Sequence, residues 1–268
     1  MTKEAYQEPS QVDQATVNQF MTRWKTHVVQ AIRPGHDAFG TKVSNIVDKM
    51  VAPSARDNYR KTDQVINLAL TEIDFLAQKI RRYQYIERYK FHFQSPNPEI
   101  GMGFAEHMYL LRNSELYGVL EQGETLIRFA SAVGEELGVG DDKAAPKYHK
   151  LFKEKFERRL RERHRMTHAH ERPSLVSRLL QLGELKTDDE RKMVEKTLGM
   201  IYGSITAIME AINKDIPEEK RPPSSKDKKA FQAWYLERVD DEAAIMWKIF
   251  SNAVSSAVGL TNSEQPPA

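Results

Sequence analysis

Residues 161–174 read RERHRMTHAHERPS, and three of the chain's eight histidines (His164, His168 and His170) fall within seven positions there. Arg161, Arg163, Arg165 and Arg172 stand among them. Imidazole changes charge near neutral pH, so it serves as either general base or general acid. Neighbouring guanidinium groups disfavour imidazolium and keep the neutral base available. A guanidinium fork also grips two phosphate oxygens at once and stabilises charge that builds up on them. These residue types suit metal-free cleavage of RNA by its own 2′-hydroxyl. A base takes the hydroxyl proton, an acid protonates the leaving 5′-oxygen, and arginine offsets the charge of the phosphorane.

Helical geometry constrains which of these groups meet. His164 and His168, four apart, share a face. Arg163 and His168, five apart, stand about 140° around the helix from each other. A long side chain, a kink or a helix end would be needed to join them. Arg163 and His170 would share a face if the helix continued, but Pro173 predicts that it stops near there. Two other readings use the same residues. The cations would suit the negative end of a helix dipole. His164, His168 and His170 would suit zinc or nickel, but four arginines repel a dication, so neither metal nor cofactor is expected.

The segment resembles the signature of the HEPN superfamily, an Arg followed by a polar residue and then a His, with four to six residues between the Arg and the His. Arg163-His164-Arg165-Met166-Thr167-His168 fits with four residues between, and Pro173-Ser174 precedes an apolar SLVSRLL. Arg161 with His168, and Arg163 with His170, fit with six between, so the register is not unique. The resemblance covers about residues 104–212. It implies a metal-independent endoribonuclease of the kind found in toxin–antitoxin, phage-defence and RNA-processing systems. Some members of the family only bind nucleotides or RNA. It implies Arg163 and His168 as the catalytic pair with His164 assisting, and Arg158, Arg159, Arg161, Arg165, His170 and Arg172 as RNA contacts. It also implies a homodimer that sets two motifs face to face, with an antitoxin or other protein as a further partner. One copy offers few groups, whereas two facing copies supply a base, an acid and two arginines, which is a physical motive for the dimer. A non-catalytic helical module that binds RNA or protein is the alternative.

The elements that must position these groups read as helices throughout. Tyr59, Thr62, Ile66, Ala69, Ile73, Leu76, Ile80 and Tyr83 repeat at 3, 4, the seam of a long helix against other helices. Val194 to Ile212 and Leu236 to Ala253 do the same. No stretch alternates at period two. A first helix over 12–33 ends at Pro34-Gly35. Ser54 is the expected cap of the second, which Ser95-Pro96-Asn97-Pro98 stops. Gly101 and Gly103 are placed in the following turn, before a helix to about Leu137. A charged helix starts near Ala144, Pro173 begins a short one, and Thr187 with Glu190 forms a capping box. Pro217, Pro222 and Pro223 mark a linker at 214–225 before a last helix over 226–258. The expectation is one all-α domain over 1–268, a bundle of seven or eight helices with several long antiparallel ones.

Composition narrows the partners. The 268 residues carry 40 Lys and Arg against 38 Asp and Glu, so overall charge is only +2. Residues 143–172 alone are +7, which leaves −5 for the rest. A smaller basic run, Lys79 to His92, is interleaved with Tyr83, Tyr85, Tyr89 and Phe91. It suits stacking on nucleic acid bases or, more blandly, a solvated helix face whose aromatics pack inward. Among the other histidines, His149 is a further possible RNA contact, and His27 and His107 read as partly buried or surface residues. Asp37 reads as a local cap, and Asp240-Asp241-Glu242 as a solvated face. With no cysteine there are no disulfides, thiol nucleophiles or iron–sulfur clusters. Walker, His-Glu-x-x-His and Glu-x-x-His patterns are missing too. The opening MTKEAYQEPS has no apolar stretch, and the longest apolar run is about five residues, so a cytoplasmic protein without a membrane partner is expected.

Overall fold

A computed structural model describes residues 12–92, 98–168 and 228–260, with single positions at 189, 192, 196 and 200. Every regular element among the described residues is helical, and the architecture is an all-α bundle. The elements are α1 (Gln14–Ala31), α2 (Thr41–Met50), a 3-10 turn (Pro53–Tyr59), α3 (Thr62–His92), α4 (Pro98–Glu136), α5 (Ala144–His168) and α6 (Lys228–Ala257). They divide between two compact units, residues 1–160 with 238–268 and residues 161–237.

In the first unit, α1 starts at Asp13, whose Oδ1 accepts from the Thr16 amide at 2.7 Å. That backbone hydrogen bond holds the Asp13 carboxyl below its ordinary value. Val17, Phe20, Trp24 and Val28 form its buried stripe. The 3, 4 seam of α3 is the core: Ile66, Ala69, Ile73, Leu76, Ile80 and Tyr83 are all buried. On α6, Val239, Ala243, Met246 and Phe250 are buried in the same way. Trp247 of α6 meets Phe20 of α1 edge-on at 5.4 Å. His27 Nε2 lies 2.9 Å from the Val258 carbonyl oxygen beyond the end of α6.

Two boundaries differ from expectation. Ser54 does not cap the long helix. Pro53–Tyr59 forms a separate 3-10 turn, and α3 starts at Thr62, whose amide and hydroxyl donate to the carbonyls of Asp37 and His36. Gly101 and Gly103 are not in a turn, because α4 already begins at Pro98. Proline fits there: an initial helical residue has no intrahelical amide bond to lose, and its φ is already helical. The short helix from Pro173, the capping box at Thr187, most of the seam at 194–212 and the linker at 214–225 lie outside the described residues.

α5 is seated on α4 by close approach. Tyr148 is buried and donates through Oη to the Val119 carbonyl at 2.9 Å. Its hydroxyl fills the space where any Cβ on Gly123 would stand. Asp141 fixes the α4–α5 connection. Its carboxylate accepts from the Lys143 amide (2.9 Å), Lys147 Nζ (2.9 Å) and, from α6, Ser256 Oγ (3.0 Å). Led by the Lys147 bond, these hold its carboxyl below the ordinary range.

Candidate functional site

The candidate residues lie on the second half of α5. Tyr148, Phe152 and Phe156 form the inward stripe of its first half, with ring centroids 5.6 and 4.8 Å apart. At Phe156 the backbone leaves helical geometry (φ −117°, ψ 15°) and then resumes it to His168. No proline or glycine causes this break. It falls where the aromatic stripe gives out and the charged ERRLRERHR begins.

Because the backbone stays helical through His168, relative placement follows from the 100° step. Arg161, His164, Arg165 and His168 occupy one stripe, and Arg163 lies about 140° from His168. Continuous helix therefore aligns Arg161, rather than Arg163, with His168. The side chains of Arg161 and His164 are exposed. For Arg158, Arg163, Arg165 and His168 only the backbone is described, and His170 and Arg172 lie outside the described residues. Lys150, Lys153 and Lys155, earlier on α5, also face solvent. Lys150 has Glu154 at 3.9 Å, whereas Lys153 and Lys155 have no carboxylate in reach among the described residues.

Arg159 is placed differently from the other expected RNA contacts. Its guanidinium donates to Glu242 Oε1 of α6 at 2.5 Å, and both side chains are about three-quarters buried. The second oxygen of Glu242 accepts from Tyr83 Oη of α3 at 2.5 Å. Burial, then the neighbouring Glu242 charge, pushes the Tyr83 phenol well above its ordinary value, so it remains a donor. Two residues away, Asp240 takes a two-pronged grip from Arg88 (2.9 and 2.7 Å) and a third bond from Gln84 (2.9 Å). Arg112 of α4 donates to Glu87 at 2.6 Å with both side chains almost wholly buried, and its guanidinium lies 5.9 Å from the Tyr83 ring centroid. Asp240 and Glu242 are thus not a solvated face. They are the acidic half of a charged seam shared by α3, α4, α5 and α6.

The seam takes Arg88, and pairs nearer the surface take two more cations of the basic run of α3. Arg81 pairs with Gln14 and Asp74, and Arg82 makes two bonds to Glu115. Tyr83 packs inward as expected, but Tyr89 is 64% exposed. Sequence reading missed Glu242, Asp240, Glu87 and Arg112. The available signal was charge balance, because an unbalanced basic stretch at 79–92 and an acidic triplet at 240–242 call for each other. His149, considered above as an RNA contact, has Nδ1 2.6 Å from Glu124 of α4. Partial burial pushes the Glu124 carboxyl up, but hydrogen bonds from His149 and Arg128 outweigh it and leave it below its ordinary value. His107 is exposed and His27 half-buried.

No protein-family model, curated protein or solved structure matches the chain. The site therefore has to be read from its own residues. Among the described residues, no three His, Asp or Glu side chains gather as a metal site, and no helix is long and apolar enough to cross a membrane.

Proposed function

We propose that the protein binds RNA along the outward face of α5 and cleaves it, in the HEPN manner, at the end of that helix. The observation that carries this reading is the unbroken helix from Glu157 to His168, which lines up Arg161, His164, Arg165 and His168 on one stripe. In the first unit, exposed Lys150, Lys153 and Lys155 are candidate phosphate contacts in their own right. In the reaction, the 2′-oxygen forms a bond to phosphorus while the bond from phosphorus to the 5′-oxygen breaks. An imidazole takes the 2′-hydroxyl proton, another donates one to the 5′-oxygen, and the products are a 2′,3′-cyclic phosphate and a 5′-hydroxyl end. His168 is the first candidate base and His164 the assisting group. Arg161 joins Arg163 as the candidate to hold the phosphorane, since it shares the stripe of His168. A two-fold homodimer would supply the second set of groups.

The test is RNA cleavage in excess EDTA, comparing wild type with His168→Ala, Arg161→Ala and Arg163→Ala. The expected result is cyclic-phosphate ends from wild type, and loss of at least a hundred-fold in rate for His168→Ala. Equal cleavage by wild type and His168→Ala removes the nuclease reading. The greater loss between the two arginine variants identifies the working register. Binding that falls steeply with salt, with no cleavage, would instead make α5 the surface of a non-catalytic RNA-binding module, a reading favoured by Lys153 and Lys155, which have no carboxylate in reach among the described residues.

A further inference from the structure

Two amide side chains on the paired helices α3 and α4 are buried with polar atoms that no side chain or backbone group meets. Asn113 of α4 is 1% exposed, and among the described residues neither its Oδ1 nor its Nδ2 has a hydrogen-bond partner. Gln84 of α3 is wholly buried. Its Nε2 donates to Asp240 of α6, but its Oε1 has no partner among the described residues. The two amides stand at one level of the helix pair. The Arg82–Glu115 bonds form a rung on one side and the Glu87–Arg112 bond a rung on the other. Positions 84 and 113 fall between those rungs on the two antiparallel helices.

A side-chain amide offers two donor hydrogens and an oxygen with two lone pairs. A buried polar atom left without a partner is costly, and three of them would offset a large share of the net stability of a domain. An apolar residue of similar volume would avoid that cost, so these amides need an occupant that both donates and accepts. The axes of a packed helix pair stand about 8–10 Å apart, which leaves no room for an organic ligand. The neighbouring charges already cancel, Glu87 with Arg112 and Asp240 with Arg88, so an ion would gain nothing there. Water fits, because it donates and accepts at once and, when buried, makes about three hydrogen bonds to such groups.

We infer that the α3–α4 interface binds internal water at Asn113 and Gln84, as a fixed part of the fold. On Asn113 the water accepts from Nδ2 or donates to Oδ1, and on Gln84 it donates to Oε1. The same water explains how Glu87 and Arg112 stay ionised with almost no exposure, since water inside a protein lowers the penalty of burying charge. The inference does not depend on the RNA-cleaving reading.

The test uses the full-length chain. A high-resolution crystal structure is expected to show ordered water within hydrogen-bond distance of both amides. Magnetic relaxation dispersion of the water oxygen counts waters that stay bound for longer than the protein takes to tumble. Asn113→Leu and Gln84→Met are each expected to lose at least one such water relative to the native chain. Asn113→Ser, which keeps a polar group and frees space, is expected to hold as many waters as the native chain or more. A crystal structure in which neither amide touches water, or in which the two amides bond each other instead, overturns the inference. So does an undiminished count in Asn113→Leu, above all beside a raised melting temperature, the mark of a dry site relieved of an unmet polar group. Should Asn113→Leu fail to fold, Gln84→Met and the native crystal decide the matter alone.

Discussion

Two stretches of this chain are rich in arginine and lysine, and the fold treats them oppositely. On α3, Arg81, Arg82 and Arg88 are each spent on a carboxylate of the same unit, Arg82 at the surface. On α5, Lys150, Lys153 and Lys155 stand in solvent. What separates them is the neighbouring surface rather than the stretch itself. α3 runs beside Glu115 of α4 and Asp240 of α6, whereas Lys153 and Lys155 of α5 have no carboxylate in reach among the described residues. A basic run in a sequence is thus only half a statement, completed by the acids that fold against it.

The sharpest way to break this contrast is at the most buried pair of the α3 seam. Removing one partner leaves the other charged and dry, so Glu87→Ala or Arg112→Ala is expected to lose about 3–5 kcal/mol in urea unfolding. Replacing both with apolar residues of similar volume should recover most of that loss. Next in size is the seat of α5 on α4: Gly123→Ala places a methyl group where the Tyr148 hydroxyl lies. A loss of about 1–3 kcal/mol is expected, much of it relieved by adding Tyr148→Phe.

A smaller effect is expected at Asp141. Its carboxyl is held below its ordinary value, so its contribution is present above the unfolded pKa of about 3.9 and is lost as pH falls through the lower folded value. Asp141→Asn should cost about 1 kcal/mol near neutrality, since Lys147 is largely exposed, and the difference from wild type should vanish in acid. Unfolding curves between pH 2 and 7 measure it. Smallest in stability are Lys153→Ala and Lys155→Ala, expected to shift unfolding by less than about 0.5 kcal/mol. Each should nevertheless lower the slope of log binding constant against log salt by about 0.7 on single-stranded RNA. Arg88→Ala is the mirror experiment: a loss of stability, with no change in that slope.

The sequence declared the helices through local patterns. The seam from Thr62 to Tyr83 repeats every three or four residues, and each member is buried. Where reading failed, the deciding contact was distant or the local signal ambiguous. Ser54 after Pro53 looks like a cap, but the carbonyls that receive the first groups of α3 belong to His36 and Asp37 in a loop upstream. Gly101 and Gly103 suggest a turn, yet α4 tolerates them and carries on to Glu136. Asp240 and Glu242 flank an apolar stripe and resemble any wet helix edge. Their partners Arg88 and Tyr83 lie more than 150 positions earlier. The proposed motif at 161–170 is a local pattern, whereas which Arg aligns with His168 depends on whether the helix persists to His168.

α1 and α6 lie side by side, joined by Phe20 against Trp247 and by His27 at the Val258 carbonyl. Nearly two hundred residues separate them along the chain. On a ribosome adding roughly 5–20 residues each second, α1 emerges on the order of ten seconds or more before the surface that will cover it. Phe20 spends that interval without its ring partner Trp247. Until synthesis is complete, α3, which α1 also contacts, is the native surface at hand to shield that greasy stripe.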